Sequence, residues 1–200
     1  CNKREPGSGC PALDGENRLH ALFGTSGLCV ATHASDLAVA LVALDARVRL
    51  RRKGTDRVLP LEELYLLPGE HPDRETLLAP GELMVEVEVP RAAFPRASRY
   101  LKIRDRASFD FAVVSVAVAM QVADGMARAA RVCAGGVGTK PWRLRACEAV
   151  LEDSRCGEAA FHAAAQRAAD GARPLGRNGF KVELLRRAVF RALCEAGGEP

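Results

Sequence analysis

The sequence has few aromatic residues, little net charge and no long apolar run, and each absence argues against a class of protein. Aromatic residues make up 5% of the 200 residues, and the formal net charge is +4 at pH 7. The densest basic run, residues 47–57, contains no aromatic residue, which is not typical of nucleic-acid binding. No apolar run approaches the roughly 20 residues that a transmembrane helix needs, and no charged-then-apolar leader opens the chain. We therefore predict a globular chain without a targeting address of its own.

Two catalytic signatures are also missing. The sequence contains neither a Ser/His/Asp order nor a pair of carboxylates that would indicate a hydrolase. The run Gly7-Ser8-Gly9 is not a dinucleotide fingerprint, because Pro6 and Cys10 flank it and no strand or helix pattern surrounds it. We therefore predict no catalytic acid, base or nucleophile in this chain.

Cysteine is abundant, by contrast, and three of the seven cysteines lie in one segment without helical or strand periodicity. Glycine and proline allow the backbone around Cys1, Cys10 and Cys29 to turn back, so that sulfurs distant in sequence can converge on a metal or cluster. The odd total argues against a complete disulfide framework. Because this loop starts at residue 1, before any helix or strand, we expect an anchoring segment upstream of it.

The remaining periodicity predicts an α+β protein in which strands come before most of the helices. Ser35 and Asp36 precede an apolar run to Leu44 and predict a capped, buried helix. A hairpin (47–52 and 57–61) and a connecting loop (62–80) follow. Later strands are predicted at 84–89, 99–103, 111–122 and 127–133, and later helices at 144–151, 158–169 and 181–193. The four other cysteines fall in these later segments, where packing in the core is the favoured interpretation.

Five ordered motifs resemble one family in sequence and spacing. They are Cys1–Arg4, Pro6–Cys10, Cys29–Asp36, Lys102–Ser108, and Gly135–Val137 with Lys140–Arg143. The family is the FAD-binding subunit of the xanthine dehydrogenase family of molybdenum hydroxylases. Within it, the motifs look like the branch of bacterial periplasmic aldehyde oxidoreductases, whose flavin subunit carries an additional [4Fe-4S] cluster.

The resemblance implies two domains. Residues 1–80 would be the C-terminal part of an FAD-binding domain of the PCMH type, with the cysteine-bearing cluster loop. Residues 81–200 would resemble the C-terminal domain of CO dehydrogenase flavoproteins, an antiparallel sheet of three to four strands with helices on one face. The glycine-rich segment that holds the FAD pyrophosphate in the family has no match in this sequence, so we expect it to lie upstream.

The resemblance also implies ligands and contacts. Cys1, Cys10 and Cys29 match three of the four cysteines that hold the [4Fe-4S] cluster, and the fourth would lie upstream. Asp36 matches a flavin-contacting aspartate, in a motif where Ala34 replaces the usual proline. Met84 matches a position whose backbone meets the isoalloxazine, and Lys102 matches a lysine that contacts the flavin.

The residues themselves leave alternatives open at these positions. Asp36 at the start of a buried helix would be costly without a partner, but it or Ser35 could simply cap the helix. Lys102 could stabilise a reduced, anionic flavin, or it could form a surface ion pair with Asp105. His33 lies close to Cys29 in sequence, yet a lone histidine is more often a packed or capping residue than a ligand.

The resemblance implies an FAD-dependent oxidoreductase subunit that passes electrons from iron-sulfur clusters to FAD and on to an external acceptor. Its partners would be a molybdopterin-binding large subunit and a [2Fe-2S] small subunit. One alternative is a zinc-stabilised docking scaffold, with Cys1, Cys10 and Cys29 completed by His20 or His33. Another is a cofactor-poor fragment without redox activity of its own. The sequence does not separate the bacterial cytoplasm from the periplasm, nor does it identify the substrate.

Overall fold

The computed structural model describes residues 1–91 and 97–198, and it confirms the α+β class. The helices are α1 (Asp36–Ala43), α2 (Leu61–Leu64), α3 (Arg145–Leu151), α4 (Glu158–Gln166) and α5 (Phe180–Gly197). The strands are β1 (Arg47–Arg52), β2 (Thr55–Pro60), β3 (Leu83–Glu88), β4 (Ser98–Ile103), β5 (Val114–Ala123), β6 (Met126–Gly135) and β7 (Trp142–Arg143). Residues 1–35 form turns and isolated bridges only. None of the helices in the described ranges is long and apolar enough to cross a membrane.

A four-stranded antiparallel sheet, in the order β4-β5-β6-β7, is covered by helices on both faces. Side chains alternate between the two faces of a strand, and β5 is apolar on both. On one face its valines pack with residues of α3, α4 and α5 in the larger core cluster. On the other face Ala117 packs with Val39 and Val42 of α1 in the second cluster. The prediction that helices cover one face is confirmed for α3, α4 and α5, and α1 covers the opposite face.

A three-stranded antiparallel sheet, in the order β2-β1-β3, contains the predicted hairpin. The strand predicted at 84–89 is present as β3, but it pairs with β1 and not with the strands that follow it. The expectation that it is half-buried is wrong, because Leu83, Met84, Val85 and Val87 are all exposed. Alternation in the sequence indicated a strand but could not indicate its partner.

Two shorter elements also differ from prediction. The segment 62–80 was predicted as a connecting loop, but the short helix α2 reaches into it and Tyr65 forms a bridge with Thr76. Trp142 and Arg143, for which no strand was predicted, form the edge strand β7, since Arg143 pairs with Cys133 and Trp142 with Ala134. Both elements are too short to produce a recognisable period.

Arg143 connects β7 to the helices on both sides of the sheet. Its side chain is 4% exposed and pairs with Asp45, just after α1, and with Glu148 of α3. The nitrogen-to-oxygen distances are 2.8 Å to Asp45 and 2.7 Å to Glu148. A buried guanidinium needs such paired acceptors to offset its lost hydration. Arg143 therefore fixes the C-terminal end of α1 against the sheet.

Two glycines allow the backbone to pack closely where β6 ends. A Cβ on Gly135 would lie 2.5 Å from Ser115 Oγ and 2.6 Å from Val39 Cγ2, so α1 can approach the sheet only because Gly135 has no side chain. Gly136 has a φ of +71°, and its Cβ would lie 2.7 Å from the carbonyl oxygens of Ala112 and Val113. A side chain at either position would displace its neighbours.

Replacing Gly136 by alanine should therefore destabilise the fold more than the same change at Gly54. Both glycines have a positive φ, so alanine at either costs about 1–2 kcal/mol of backbone strain. Nothing lies within 4 Å of a Cβ on Gly54, whereas two carbonyl oxygens crowd the Cβ on Gly136. In urea unfolding, we expect Gly136→Ala to lose at least about 1 kcal/mol more than Gly54→Ala. Equal losses would contradict the close packing at Gly136.

Candidate functional site

One cavity, which we call the Asp36 cavity, is lined by parts of three of the sequence motifs and has a volume of about 420 Å³. Thr32 to Leu37 line one side, Lys102 and Asp105 a second, and Gly135 with Gly136 a third. These segments meet because α1 packs on one face of the sheet and begins near the end where β4 and β6 finish and β5 begins. Residues more than 60 positions apart in the sequence thus face one space.

Asp36 and Lys102 form an ion pair at this cavity, with 2.7 Å between Lys102 Nζ and Asp36 Oδ2. The hydroxyl of Tyr100 donates to the other carboxylate oxygen at 2.8 Å. The alternative pair of Lys102 with Asp105 is wrong, because Asp105 pairs with Arg18. β4 carries both Tyr100 and Lys102 on the side that faces the start of α1.

Ser35, not Asp36, caps α1, since its Oγ accepts a hydrogen bond from the backbone N–H of Ala38 at 3.1 Å. The carboxylate of Asp36 is therefore free to face the cavity. Partial burial alone would raise its pKa, but the hydrogen bonds from Lys102 and Tyr100 outweigh burial and hold the pKa below its usual value. Asp36 is consequently a carboxylate at neutral pH.

His33 lines the same cavity, and its Nδ1 is buried without a hydrogen-bond partner among the described residues. Its ring packs edge-on against Tyr65, with 4.7 Å between the ring centroids. Burial, and to a lesser extent the charge of Lys3, lowers the pKa of His33, so the ring is neutral at pH 7. His33 is thus a packed residue with a buried Nδ1 that has no partner among the described residues.

A second cavity, the cysteine cavity, is lined by Cys1, Cys10 and Cys29 together with His20 and has a volume of about 380 Å³. Cys1 is exposed and Cys29 is buried, so the thiols span the depth of the cavity. Nδ1 of His20 is buried and, within the described part of the chain, has no hydrogen-bond partner. No three His, Cys, Asp or Glu side chains in the described ranges are placed to hold a single metal ion.

Four buried polar residues that sequence reasoning did not single out hold this irregular segment in place. Asn2 bonds Leu28 and Gly9, and Asn17 bonds the carbonyls of Ala12 and Leu13 and the N–H of Arg177. Asn178 donates to the carbonyls of His20 and Ala21, and Lys181 to those of Leu19, His20 and Gly136. Of these four residues, only Asn2 and Asn17 could have been recognised from the sequence, because they lie in a loop without periodicity. The backbone of such a loop needs side chains as hydrogen-bond partners.

Met84 does not join Asp36 and Lys102 among the described residues that line the Asp36 cavity. It lies in β3, where it pairs with Leu50 of β1 and its side chain is exposed. The structure thus brings together two of the three predicted flavin contacts, and separately the three predicted cluster ligands.

The cysteines outside the cysteine cavity are packing residues. Cys133 and Cys147 are fully buried in the two core clusters, and Cys156 and Cys194 pack against the larger one. Burial raises the pKa of the Cys147 thiol to about 12, so it stays protonated.

Comparisons with known proteins agree with the motifs. Residues 23–92 match the FAD binding domain in molybdopterin dehydrogenase, and residues 99–196 match the CO dehydrogenase flavoprotein C-terminal domain. The chain is 44% identical over 199 residues to the aldehyde oxidoreductase FAD-binding subunit PaoB of Escherichia coli K12, covering 98% of this chain and 58% of that protein. It is 30% identical over 180 residues to the 6-hydroxypseudooxynicotine dehydrogenase complex subunit alpha of Paenarthrobacter nicotinovorans, covering 86% of this chain and 59% of that protein.

A solved structure shows the same fold. Carbon monoxide dehydrogenase from Hydrogenophaga pseudoflava superimposes with a TM-score of 0.70 and 27% identity, over 82% of this chain and 59% of that chain. The chain thus spans somewhat less than two thirds of the length of the relatives it matches. On these matches and on its ordered motifs, the chain belongs to the FAD-binding subunits of the xanthine dehydrogenase family of molybdenum hydroxylases.

Proposed function

We propose that this chain forms part of an electron-transfer subunit of a molybdenum-containing dehydrogenase of the aldehyde or xanthine type. Its partners would be a molybdopterin-binding large subunit and a [2Fe-2S] small subunit, which supply the electrons. The observation that carries the proposal is the pair of cavities: motif residues line one, and three thiols line the other. The names of the two curated relatives, a FAD-binding subunit and a subunit of a dehydrogenase complex, support this role.

The residues of the Asp36 cavity fit a flavin. The Asp36–Lys102 pair supplies charged and hydrogen-bonding groups at the cavity. Apolar side chains, those of Leu37 and Phe109, line the same cavity, and Lys102 Nζ lies 5.7 Å from the centroid of the Phe109 ring. Flavin sites combine such an apolar body with a few placed polar groups. When bound, FAD would accept electrons and pass them to an external acceptor.

In this proposal Asp36 and Lys102 orient the flavin by hydrogen bonding. Asp36 accepts one of the three N–H donors of Lys102, which fixes the ammonium at the cavity wall. Asp36 in turn is oriented by Tyr100. The proposed contact of the Met84 backbone with the flavin rests on the family resemblance.

The cysteine cavity fits an iron-sulfur cluster by the chemistry of its donors. Thiolates are the ligands of [4Fe-4S] clusters, and Cys1, Cys10 and Cys29 face one cavity. We propose that they hold the cluster, with a fourth cysteine supplied from upstream in the complete subunit. The proposed domains remain 1–80 and 81–200, with β3 pairing across that boundary to β1.

Replacing Cys10 by alanine in the complete subunit, expressed with its partners, should remove most of the cluster iron and leave FAD bound. The reason is that the thiols and the flavin-facing residues line different cavities. Iron and FAD content per subunit measure the effect. Cys156→Ala is the matched control, because Cys156 packs against the core and not at the cysteine cavity. Iron unchanged in Cys10→Ala, or lost equally in Cys156→Ala, would contradict the assignment.

Replacing Lys102 by methionine should lower the flavin reduction potential and leave the iron content unchanged. The change removes a cation and also leaves the Asp36 carboxylate without its ion-pair partner. The double variant Lys102→Met/Asp36→Asn should recover part of the potential, because it removes that negative charge as well. Spectroelectrochemical titration measures both, with Lys53→Met in the exposed β1–β2 turn as control. A potential equal to that of the wild type in Lys102→Met would remove Lys102 from the site.

A further inference from the structure

Lys181 is a fully buried cation that is held by backbone carbonyls and not by a carboxylate. It lies in the first turn of α5, and its relative exposure is 0%. Its ammonium donates to the carbonyls of Leu19 at 3.1 Å, His20 at 3.0 Å, and Gly136. The ion pairs found between described residues do not include Lys181. A lysine at the N-terminal end of a helix is also opposed by the helix dipole, so this position is costly for a positive charge.

The three carbonyls that hold Lys181 belong to the walls of both cavities. Leu19 and Gly136 line the Asp36 cavity, and His20 lines the cysteine cavity. A second pair of consecutive residues is divided between the cavities in the same way: Ala31 lines the cysteine cavity, and Thr32 lines the Asp36 cavity. At both stretches consecutive residues thus line different cavities, and we call this boundary the shared wall. Lys181 is bonded to it through the carbonyls of Leu19 and His20.

We propose that Lys181 is a positioning residue for electron transfer, which fixes the shared wall and places a positive charge between the two cofactors. The inference rests on the function proposed above. Lys181 neither gains nor loses an electron. Each electron taken up by the flavin or by the cluster adds one negative charge beside a buried cation, and in a low-dielectric interior that attraction is strong. Lys181 therefore favours the reduced form of both cofactors.

Asn178 provides a matched control for the structural part of this role. It is fully buried, and its amide donates to the carbonyls of His20 and Ala21, so it holds the same stretch of chain without a charge. A variant of Asn178 disturbs the wall, whereas a neutral variant of Lys181 disturbs the wall and removes the charge. Comparing the two separates position from electrostatics.

The test is a redox titration of both cofactors in the complete complex, with Lys181→Met, Lys181→Gln and Asn178→Ala. We expect both neutral Lys181 variants to reduce the equilibrium constant for one-electron reduction about tenfold, which is 59 mV for a one-electron couple. Asn178→Ala should leave both potentials near those of the wild type. Lys181→Gln keeps two N–H donors for the carbonyls, so it decides the question if Lys181→Met does not fold.

Four outcomes are informative. Lowered potentials in the neutral Lys181 variants alone support the inference. Unchanged potentials in a folded variant with full iron and FAD overturn it, and so does an equal shift in Asn178→Ala, which would make the role purely structural. A wild-type complex that carries neither iron nor FAD in this subunit would instead contradict the proposed function, so the two failures are distinguishable.

Discussion

The two-sided burial of β5 is the constraint on which the rest of the structure depends. Its valines need the helices α3 to α5 on one face, and its small residues, such as Ala117, need α1 on the other. Gly135 permits α1 to lie directly on the sheet, and this contact places the start of the helix next to β4. The Asp36–Lys102 pair is therefore a consequence of core packing: the ion pair does not hold the elements together, but the packed elements bring the ion pair to the cavity. Exposed pairs of this kind contribute at most about 1 kcal/mol, which is too little to determine the architecture.

The cysteine segment depends on a different kind of interaction. Residues 1–35 form no continuous ladder, so their backbone groups need other partners. Side chains from the far end of the chain supply several of them, since Asn178 and Lys181 bond residues 19–21 across about 160 positions of sequence. Hydrogen bonds to a charged donor contribute about 1.5–3 kcal/mol each, more than neutral ones. The shape of the cysteine cavity is thus set in part by α5, a helix that contributes none of the three cysteines that line it.

Features that depend on neighbouring residues could be predicted from the sequence, and features that depend on contacts between distant parts of the chain could not. Helices and strands with a clear period were predicted with nearly correct bounds, because period and capping are local properties. Asp36 and Lys102 were both singled out as candidate site residues. The ion-pair partner considered for Lys102 was Asp105, its near neighbour in sequence, but the fold brings Asp36 to Lys102 instead. Lys181 carried no signal, since one lysine in an amphipathic helix is usually solvated. Its burial depends on where an irregular loop folds back, which no local pattern records.

The two lysines near the Asp36 cavity differ in how far their charges are felt. Lys102 is 20% exposed and paired with a carboxylate, so its field at a distance is cancelled by Asp36 and screened by solvent. Lys181 is buried, and among the described contacts its ammonium donates to neutral carbonyls and to no carboxylate. A residue that contacts a ligand can therefore have little electrostatic effect at a distance, because its charge is paired. A buried lysine that touches no ligand can have a larger effect, because no carboxylate cancels its charge. If the proposed function holds, we therefore expect Lys102 to act mainly on how the flavin is oriented and Lys181 more on how readily it is reduced.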